Sequence, residues 1–192
     1  MLTRINFLTA GESHGRGLLG IIDGIPSGLE ISKEYIDVQL KRRQMGHGRG
    51  GRMKIENDAV EIWSGVRDGK TIASPIGLIV KNKDWENWKN KMSVEKMGKT
   101  PRKVTLPRPG HADLAGVEKY GFDDIRNVLE RSSARETTMR VALASVCRKL
   151  LGDIGIHVAS RVVQIHDVID SLSIPSNFKI QKLNQLADKS PV

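Results

Sequence analysis

The chain has 192 residues, of which 39% are hydrophobic, and its 31 Lys and Arg against 22 Asp and Glu give a formal net charge of +9. This content is enough for a buried core. The longest apolar runs fall well short of the roughly 20 residues of a membrane helix, and the N-terminus has no export-signal pattern. The composition therefore predicts a globular, cytoplasmic protein without a membrane partner, whose positive charge attracts an anionic ligand. The single cysteine, Cys147, excludes an intramolecular disulfide and is predicted to be a buried, inert thiol.

The first part of the chain predicts antiparallel strands around one helix. Strands are predicted at Arg4–Thr9, Leu18–Ile25, Val60–Val66 and Ile76–Val80. Ser32 is the predicted N-cap of a helix that runs toward a basic segment. Asp68-Gly69 is a hairpin signal between the last two strands, so we expect an antiparallel meander.

The second part of the chain predicts one long helix with less regular flanks. Residues 82–110 are polar and turn-rich, which predicts irregular structure. Ser133-Ala134-Arg135-Glu136 matches the capping box Ser-x-x-Glu, and apolar positions at helical spacing continue to Gly152. Ile156–Ile165 is typical of a strand and Asn177–Asp188 of a weaker helix. Because no internal repeat or low-complexity linker is present, the whole chain is predicted to form a single unit.

Two histidines lie in glycine-bearing turns: His14 in Gly11-Glu12-Ser13-His14-Gly15 and His111 in Pro109-Gly110-His111-Ala112-Asp113. Such backbone can approach a ligand closely, and an imidazole can give or take a proton near neutral pH. Both are therefore candidate catalytic residues, and the structural alternative is a turn whose side chains satisfy nearby backbone groups. Asp113 is expected either to cap the following helix or to orient the imidazole.

The other histidines are predicted to be structural or solvated. His47 lies in the basic segment without a partner in view, and His157 and His166 sit in a strand pattern after the long helix. No set of side chains has the spacing of metal ligands, so no metal site is predicted.

Residues 41–54 hold six cationic side chains and no acidic one. Arginine can grip phosphate or carboxylate through two parallel hydrogen bonds, so this segment suits a small polyanionic substrate or, alternatively, a nucleic-acid surface. A nucleic-acid surface more often adds aromatic side chains for stacking, and the segment contains none. The small substrate is the favoured interpretation.

The segment Arg131-Ser132-Ser133-Ala134-Arg135 precedes the long helix. Free backbone N–H groups, the positive end of the helix dipole, two hydroxyls and two guanidiniums could all converge there on one anion. A phosphate or an anionic flavin edge fits such a site.

Four motif blocks, in this order and spacing, resemble the chorismate synthase family, and the likeness extends from the N-terminus to about Val163. The blocks are Gly11–Gly15 followed by Gly24–Leu29, Arg42–Met53, Arg108–Asp113 and Glu130–Thr137. Three positions depart from the family pattern, with His47 where Tyr is usual, Ala73 where Gly is usual and Ala144 where Gly is frequent.

The resemblance implies a lyase of the shikimate pathway, in aromatic amino acid biosynthesis. The enzyme removes phosphate and a C6 proton from 5-enolpyruvylshikimate 3-phosphate by 1,4-anti elimination and requires reduced FMN without net redox change. His14 would be the acid near the departing phosphate, and His111 would lie near the flavin ring. The implied substrate ligands are Ser13, Arg43, Arg49, Arg52 and Arg135. The implied FMN ligands are Arg131, Ser132 and Ser133, and a possible NADPH site is implied at Arg43 and Arg49.

The implied fold is α+β, a β-α-β sandwich with antiparallel sheet packed on helices, assembled as a homotetramer. Family members are about twice as long, so this chain is expected to be a single partial domain, about one half of the full fold. It is expected to expose apolar surface that the other half would cover. Two other hypotheses stay open, a basic nucleic-acid-binding module and a non-catalytic remnant that associates with a complete subunit.

Overall fold

The structure, a computed structural model, describes residues 4–45, 56–98, 101–171 and 182–185. Its strands are β1 (Asn6–Gly11), β2 (Gly17–Asp23), β3 (Val60–Ile62), β4 (Val66–Arg67), β5 (Lys70–Thr71), β6 (Ile76–Lys81), β7 (Gln164–Ile165) and β8 (Val168–Ile169). Its helices are α1 (Lys33–Gln44), α2 (Trp85–Met92), α3 (Asp113–Tyr120), α4 (Arg126–Leu129) and α5 (Glu136–Asp153). Residues 182–185 are also helical.

Strands β1, β2, β6 and β3 form a four-stranded sheet in that order, and each neighbouring pair is antiparallel. The predicted antiparallel sheet is confirmed. The predicted antiparallel pairing of the last two strands, β3 and β6, is also confirmed. The strand order is not that of a meander, because β6 lies between β2 and β3. The Asp68-Gly69 turn, with φ of 50° and 70°, instead joins β4 to β5 in a separate two-stranded ribbon. Positive φ at both central residues is typical of a tight hairpin turn.

One face of the sheet packs on α1 and α5. Alternation along β2 and β6 turns every second side chain toward this helical layer, and α5 packs on β1, β2 and β6 while α1 packs on α5 and β3. The shared core includes Leu18, Ile22, Ile36, Leu40, Leu78, Val80, Met139, Leu143 and Val146. Burying each large apolar side chain contributes about 1.5–3 kcal/mol, so this layer is the main source of stability. The prediction of antiparallel sheet packed on helices is therefore confirmed.

Gly20 sets the distance between the sheet and α5. A Cβ built on Gly20 would lie 2.5 Å from Met139 Sδ and 2.9 Å from Leu143 Cδ1. Carbon contacts are optimal at about 3.5–4.0 Å. Even a methyl group at this position would require the Met139 and Leu143 side chains to shift.

Gly20→Ala should lower the free energy of unfolding by about 1–3 kcal/mol, because it overpacks this contact. Gly152→Ala is the matched control, since a Cβ built on this α5 residue meets nothing within 4 Å. It should raise the free energy of unfolding by about 0.5–1 kcal/mol through helix propensity. Urea unfolding of the two variants checks both signs, and a Gly20→Ala protein as stable as the unsubstituted chain would contradict the packing argument.

The helix starts follow the predictions only in part. Ser32 is the N-cap of α1 as predicted, and its Oγ accepts from Tyr35 N at 3.2 Å. The predicted capping box is wrong, because the N-cap of α5 is Arg135, with helical backbone angles and no side-chain cap. The Glu136 carboxylate accepts from Thr9 Oγ1 and Arg140 Nε, both at 2.6 Å, so tertiary partners hold it away from the capping position.

The regions predicted as irregular or extended also differ from expectation. Residues 82–110 contain α2, and Ile156–Ile165 is a strand only at β7, which pairs with β8. His157 is exposed outside a strand, and His166 occupies the β7–β8 turn with φ of 53°, so the prediction that both are strand residues is wrong. The predicted helix Asn177–Asp188 lies mostly outside the described residues.

The face of the sheet opposite the helices carries exposed apolar side chains. Leu8, Leu19 and Ile21 are 75%, 48% and 50% exposed, and the register pairs Leu8 with Ile21 on this face. The exposed apolar surface that the family resemblance implies is therefore present. Within the described ranges, no helix has the length and apolar character needed to cross a bilayer.

Candidate functional site

The loop between β1 and β2, which carries His14, is held by Asn82, the residue that follows β6. The buried Asn82 side chain places its Nδ2 at 3.1, 3.2 and 2.8 Å from the carbonyl oxygens of Glu12, Ser13 and Gly15. Three loop carbonyls thus share one amide donor. The position of the loop therefore depends on a residue about 70 positions further along the chain.

The His14 ring is held on two sides. Its Nδ1 lies 2.9 Å from both carboxylate oxygens of Glu130, and its backbone N donates to Glu130 Oε2 at 2.8 Å. The ring also stacks on Trp88 of α2, with centroids 3.9 Å apart and planes inclined by 25°. Glu130 is buried, whereas 20% of the His14 side chain is exposed. The ring is thus fixed in orientation yet open to a ligand.

Arg135 and Arg43, two of the predicted substrate ligands, share the buried carboxylate of Asp58. The Arg135 side chain, 5% exposed, forms an ion pair with Asp58, and its Nη2 lies 3.6 Å from Glu56 Oε2. Arg43 Nη1 lies 3.4 Å from Asp58 Oδ2. Arg135 Nε also donates to Asn82 Oδ1 at 2.9 Å. Two guanidiniums and two carboxylates therefore form a buried cluster next to the His14 loop.

Arg131 lies on the other side of this segment, against β1. Its Nη2 donates to the carbonyl oxygen and to Oγ1 of Thr9, both at 2.8 Å. Its Nη1 is buried and has no hydrogen-bond partner within the described part of the chain. Arg131 contacts β1 while Arg135 contacts Asp58, so no partner common to both guanidiniums occurs among the described contacts.

The two serines of this segment make local hydrogen bonds. Ser132 Oγ donates to the Val128 carbonyl at 2.9 Å. Ser133 Oγ accepts from Arg135 N at 3.3 Å. Both hydroxyls thereby shape the turn between α4 and α5.

A cavity of about 480 Å³ opens beside Arg131 and Ser132. Its apolar walls come from α3, α4 and the turn between them, and include Ala115, Gly116, Tyr120, Phe122 and Val128. Its size lies in the range of small-molecule sites, and apolar walls with few polar groups are typical of them.

His111 lies in the exposed turn before α3, with Nδ1 3.1 Å from the Pro109 carbonyl. Asp113 is the first residue of α3, whose N-cap is Ala112. Its buried carboxylate accepts from Arg108 Nε and Nη2, both at 2.8 Å. The expectation that Asp113 caps the helix or orients His111 is therefore wrong, because Arg108 occupies both of its oxygens. Hydrogen bonds from Arg108 lower the pKa of Asp113 to about 2.

The remaining predicted site residues lie outside the described part of the chain. They are Arg49 and Arg52, together with His47. Among the residues that are described, no group of three or more His, Cys, Asp or Glu side chains is placed to hold a metal ion. Cys147 is half-buried, and burial raises the pKa of its thiol.

Five residues of the site were not predicted from the sequence: Glu56, Asp58, Asn82, Trp88 and Glu130. Glu130 directly precedes Arg131 in a motif block, and that proximity is the one signal that could have drawn attention to it. Trp88 lies in a segment predicted as irregular. Asp58 and Asn82 lie beside strand ends, without a local pattern that indicates their partners.

Asp113→Asn should lower the free energy of unfolding at pH 7 by about 1–2 kcal/mol, because it weakens a charge-assisted hydrogen-bond pair to a partly exposed arginine. The folded-state pKa of Asp113 is depressed. The stabilisation is therefore fully present above the unfolded pKa, near 4, and is lost as the pH falls through about 2. Urea unfolding at pH 7 and near pH 3 should show the difference between the two proteins shrinking at the lower pH.

Asp123→Asn is the matched control, since Asp123 pairs with Lys103 at the exposed surface. Its effect should be much smaller than that of Asp113→Asn, because solvent screens an exposed pair. A difference between the Asp113→Asn protein and the unsubstituted chain that is constant from pH 7 to about pH 3 would show that the carboxylate charge contributes nothing.

The molecule is thus an α+β protein in which a histidine loop, a buried arginine–carboxylate cluster and an apolar cavity adjoin one segment, residues 130–135. A family model described as chorismate synthase matches residues 5–191. The curated chorismate synthase of Enterococcus faecalis (strain ATCC 700802 / V583) is 54% identical over 191 residues, covering 98% of this chain and 49% of the relative. That of Chlorobium phaeovibrioides (strain DSM 265 / 1930) is 57% identical over 168 residues, covering 87% and 42%. The chain belongs to the chorismate synthase family.

A solved structure agrees with this assignment. A crystal structure of chorismate synthase superposes with a TM-score of 0.61 at 43% sequence identity, and the match covers 82% of this chain and 36% of that one. The chorismate-synthase-like fold predicted from the sequence is therefore confirmed. The chain spans about half the length of the curated relatives that it matches.

Proposed function

We propose that this chain carries the N-terminal part of a chorismate synthase active site, which eliminates phosphate from 5-enolpyruvylshikimate 3-phosphate in the presence of reduced FMN. The observation that carries the proposal is the cavity beside Arg131 and Ser132. It combines apolar and aromatic walls with the side chain of Arg131, one of the residues that line it. A guanidinium at the wall of a cavity can donate charge-assisted hydrogen bonds to a ligand with an anionic edge.

The residues present fit a flavin. Tyr120, Phe122 and Val128 offer an apolar surface to a planar ring, and Arg131 offers a charged donor at the wall. When bound, reduced FMN would supply electron density to the substrate during the elimination, and it would be recovered without net oxidation. His111 is exposed in the turn that leads into this cavity through Ala112, so its imidazole can donate to a polar edge of the ring.

His14 is proposed as the acid on the phosphate side. A departing phosphate gains negative charge, and a positioned imidazole that donates a proton lowers the cost of that charge. The ring is partly exposed and its plane is fixed, which is the state that a proton donor at a defined position requires.

The proposed substrate clamp consists of Arg43 and Arg135, with Ser13 at the His14 loop and Arg49 and Arg52 from the basic segment. In the described residues the charges of Arg43 and Arg135 are balanced by Asp58 and Glu56. Additional cations are therefore needed to attract a substrate that carries a phosphate and carboxylates. The basic segment that contains Arg49 and Arg52 can supply them.

The proposal extends to a cytoplasmic homotetramer, as the family resemblance implies. Ser132 and Ser133 are included as FMN ligands through the turn that they shape. NADPH binding at Arg43 and Arg49 is not part of the proposal, because no contact described above favours it over substrate.

Arg131→Ala should weaken reduced-FMN binding by about tenfold or more, because it removes a charge-assisted hydrogen bond. Anaerobic titration followed by flavin absorbance measures the dissociation constant. Arg140→Ala is the matched control, since Arg140 is exposed and bonds only Glu136 among the described contacts, and it should leave FMN affinity unchanged. A chain that binds neither reduced FMN nor substrate, but binds RNA with a steep salt dependence, would instead be the nucleic-acid module.

His14→Ala and His111→Ala should each lower turnover by about 10²–10⁴-fold, the usual contribution of a general acid or base. The measurement uses this chain co-expressed with the second half of the Enterococcus faecalis relative and follows chorismate formation. His166→Ala, whose exposed ring contacts Asp167, should keep the unsubstituted rate. Unchanged turnover in both the His14 and His111 variants would refute the assigned roles.

A further inference from the structure

Glu130 contacts the His14 loop through both its side chain and its main chain. Its carboxylate lies 2.9 Å from His14 Nδ1 and accepts from His14 N, while its carbonyl accepts from Ser13 N at 2.9 Å. The Glu130 side chain is 1% exposed, and the nearby Arg126 Nη1, at 3.9 Å, offsets its charge. One buried residue thus contacts both the backbone of the His14 loop and the His14 ring.

We propose that Glu130 is a positioning residue that keeps the proton of His14 on Nδ1 and presents Nε2 to the ligand, with Trp88 fixing the plane of the ring. The inference rests on the proposed phosphate-side role of His14. An ionised carboxylate accepts hydrogen bonds and cannot donate them, so the ring nitrogen that faces Glu130 must carry a hydrogen. Nε2 has no hydrogen-bond partner among the described residues, and it is the atom left to exchange a proton with a ligand.

Trp88 removes the remaining freedom of the ring. Its indole is itself held by a hydrogen bond from Nε1 to Asp84 at 2.9 Å. The guanidinium of Arg126 lies 5.6 Å from the centre of the indole and also neighbours Glu130. Rotation of the imidazole would therefore break the stacking contact and the Glu130 contact together.

Nitrogen NMR of the 192-residue chain, with ¹⁵N-labelled histidine, tests the proposal directly. At about pH 8 an ordinary imidazole is neutral, and long-range proton–nitrogen couplings report which nitrogen carries the hydrogen. His14 should be in the Nδ1–H form, with a His14→Gln sample assigning its signal. In Glu130→Gln the ratio of the Nδ1–H form to the Nε2–H form should fall by about tenfold, the factor that one charge-assisted hydrogen bond commonly contributes. Glu130→Asp retains a carboxylate and should restore part of it.

Asp124→Asn is the matched control. Asp124 Oδ1 accepts from Val104 N at 3.1 Å and from Arg126 N at 3.0 Å, so the variant loses a structural carboxylate nearby without touching His14. It should leave the tautomer unchanged. The proposal is overturned by an Nε2–H form in the unsubstituted chain, a result that does not depend on the stability of any variant. A shift in Asp124→Asn as large as that in Glu130→Gln also overturns it.

Titration of the same sample with inorganic phosphate separates this inference from the proposed function. Phosphate at Nε2 should shift that resonance in the unsubstituted chain and shift it less in Glu130→Gln. If the tautomer ratio changes in Glu130→Gln while phosphate does not shift the Nε2 resonance, the positioning role stands and the phosphate-side role of His14 fails. If phosphate shifts Nε2 equally in both proteins, Glu130 does not present that atom and the positioning role is refuted.

Discussion

The buried ion pair between Arg135 and Asp58 is the interaction on which the candidate site depends. Arg135 belongs to the start of α5 and Asp58 to the segment before β3, and Asn82 extends their hydrogen bonds to the His14 loop. A buried charge that loses its partner costs several kcal/mol. These segments, distant in sequence, are therefore held in one arrangement, and the His14 loop has its position because of it.

The short stretch from Glu130 to Glu136 divides its side chains among three surroundings. Glu130 faces His14, Arg131 and Glu136 face Thr9 on β1, and Arg135 faces Asp58. A continuous helix would place side chains three and four apart on a common face. Because a turn separates α4 from α5, the side chains of residues 130–136 are not confined to one common face. This separation places the proposed acid on one side of the stretch and the cavity on the other.

The sequence indicated much of the sheet and its helical layer, because burial on one face imposes alternation on strands and a 3.6-residue period on helices. The Ser32 cap and the Asp68-Gly69 turn were also predictable, since each depends on local geometry.

The strand order was not predictable from the sequence, because the insertion of β6 between β2 and β3 depends on packing against α5. Helix α2 was missed because it is short and lies in a polar, turn-rich segment, although Trp85, Trp88 and Met92 stand at helical spacing. None of its residues is buried in the core, and Trp88 is held by His14 and Asp84. At Ala73, φ is 60°, a backbone conformation that favours Gly, the residue that the family resemblance has there.

For the site, the sequence by itself determined which residue types are present and which loops carry them, including His14, His111 and the segment from Arg131 to Arg135. Turn chemistry and motif order are local properties, so they can be read along one chain. Only the tertiary structure decided the partners: Glu130 for His14, Asp58 for Arg135, and Arg108 rather than His111 for Asp113. The physical reason is that a buried charge must be matched by whichever donor or acceptor the fold brings within hydrogen-bond distance. Glu130 lies 116 positions from His14 and Asp58 lies 77 positions from Arg135, and no local pattern encodes these two pairs.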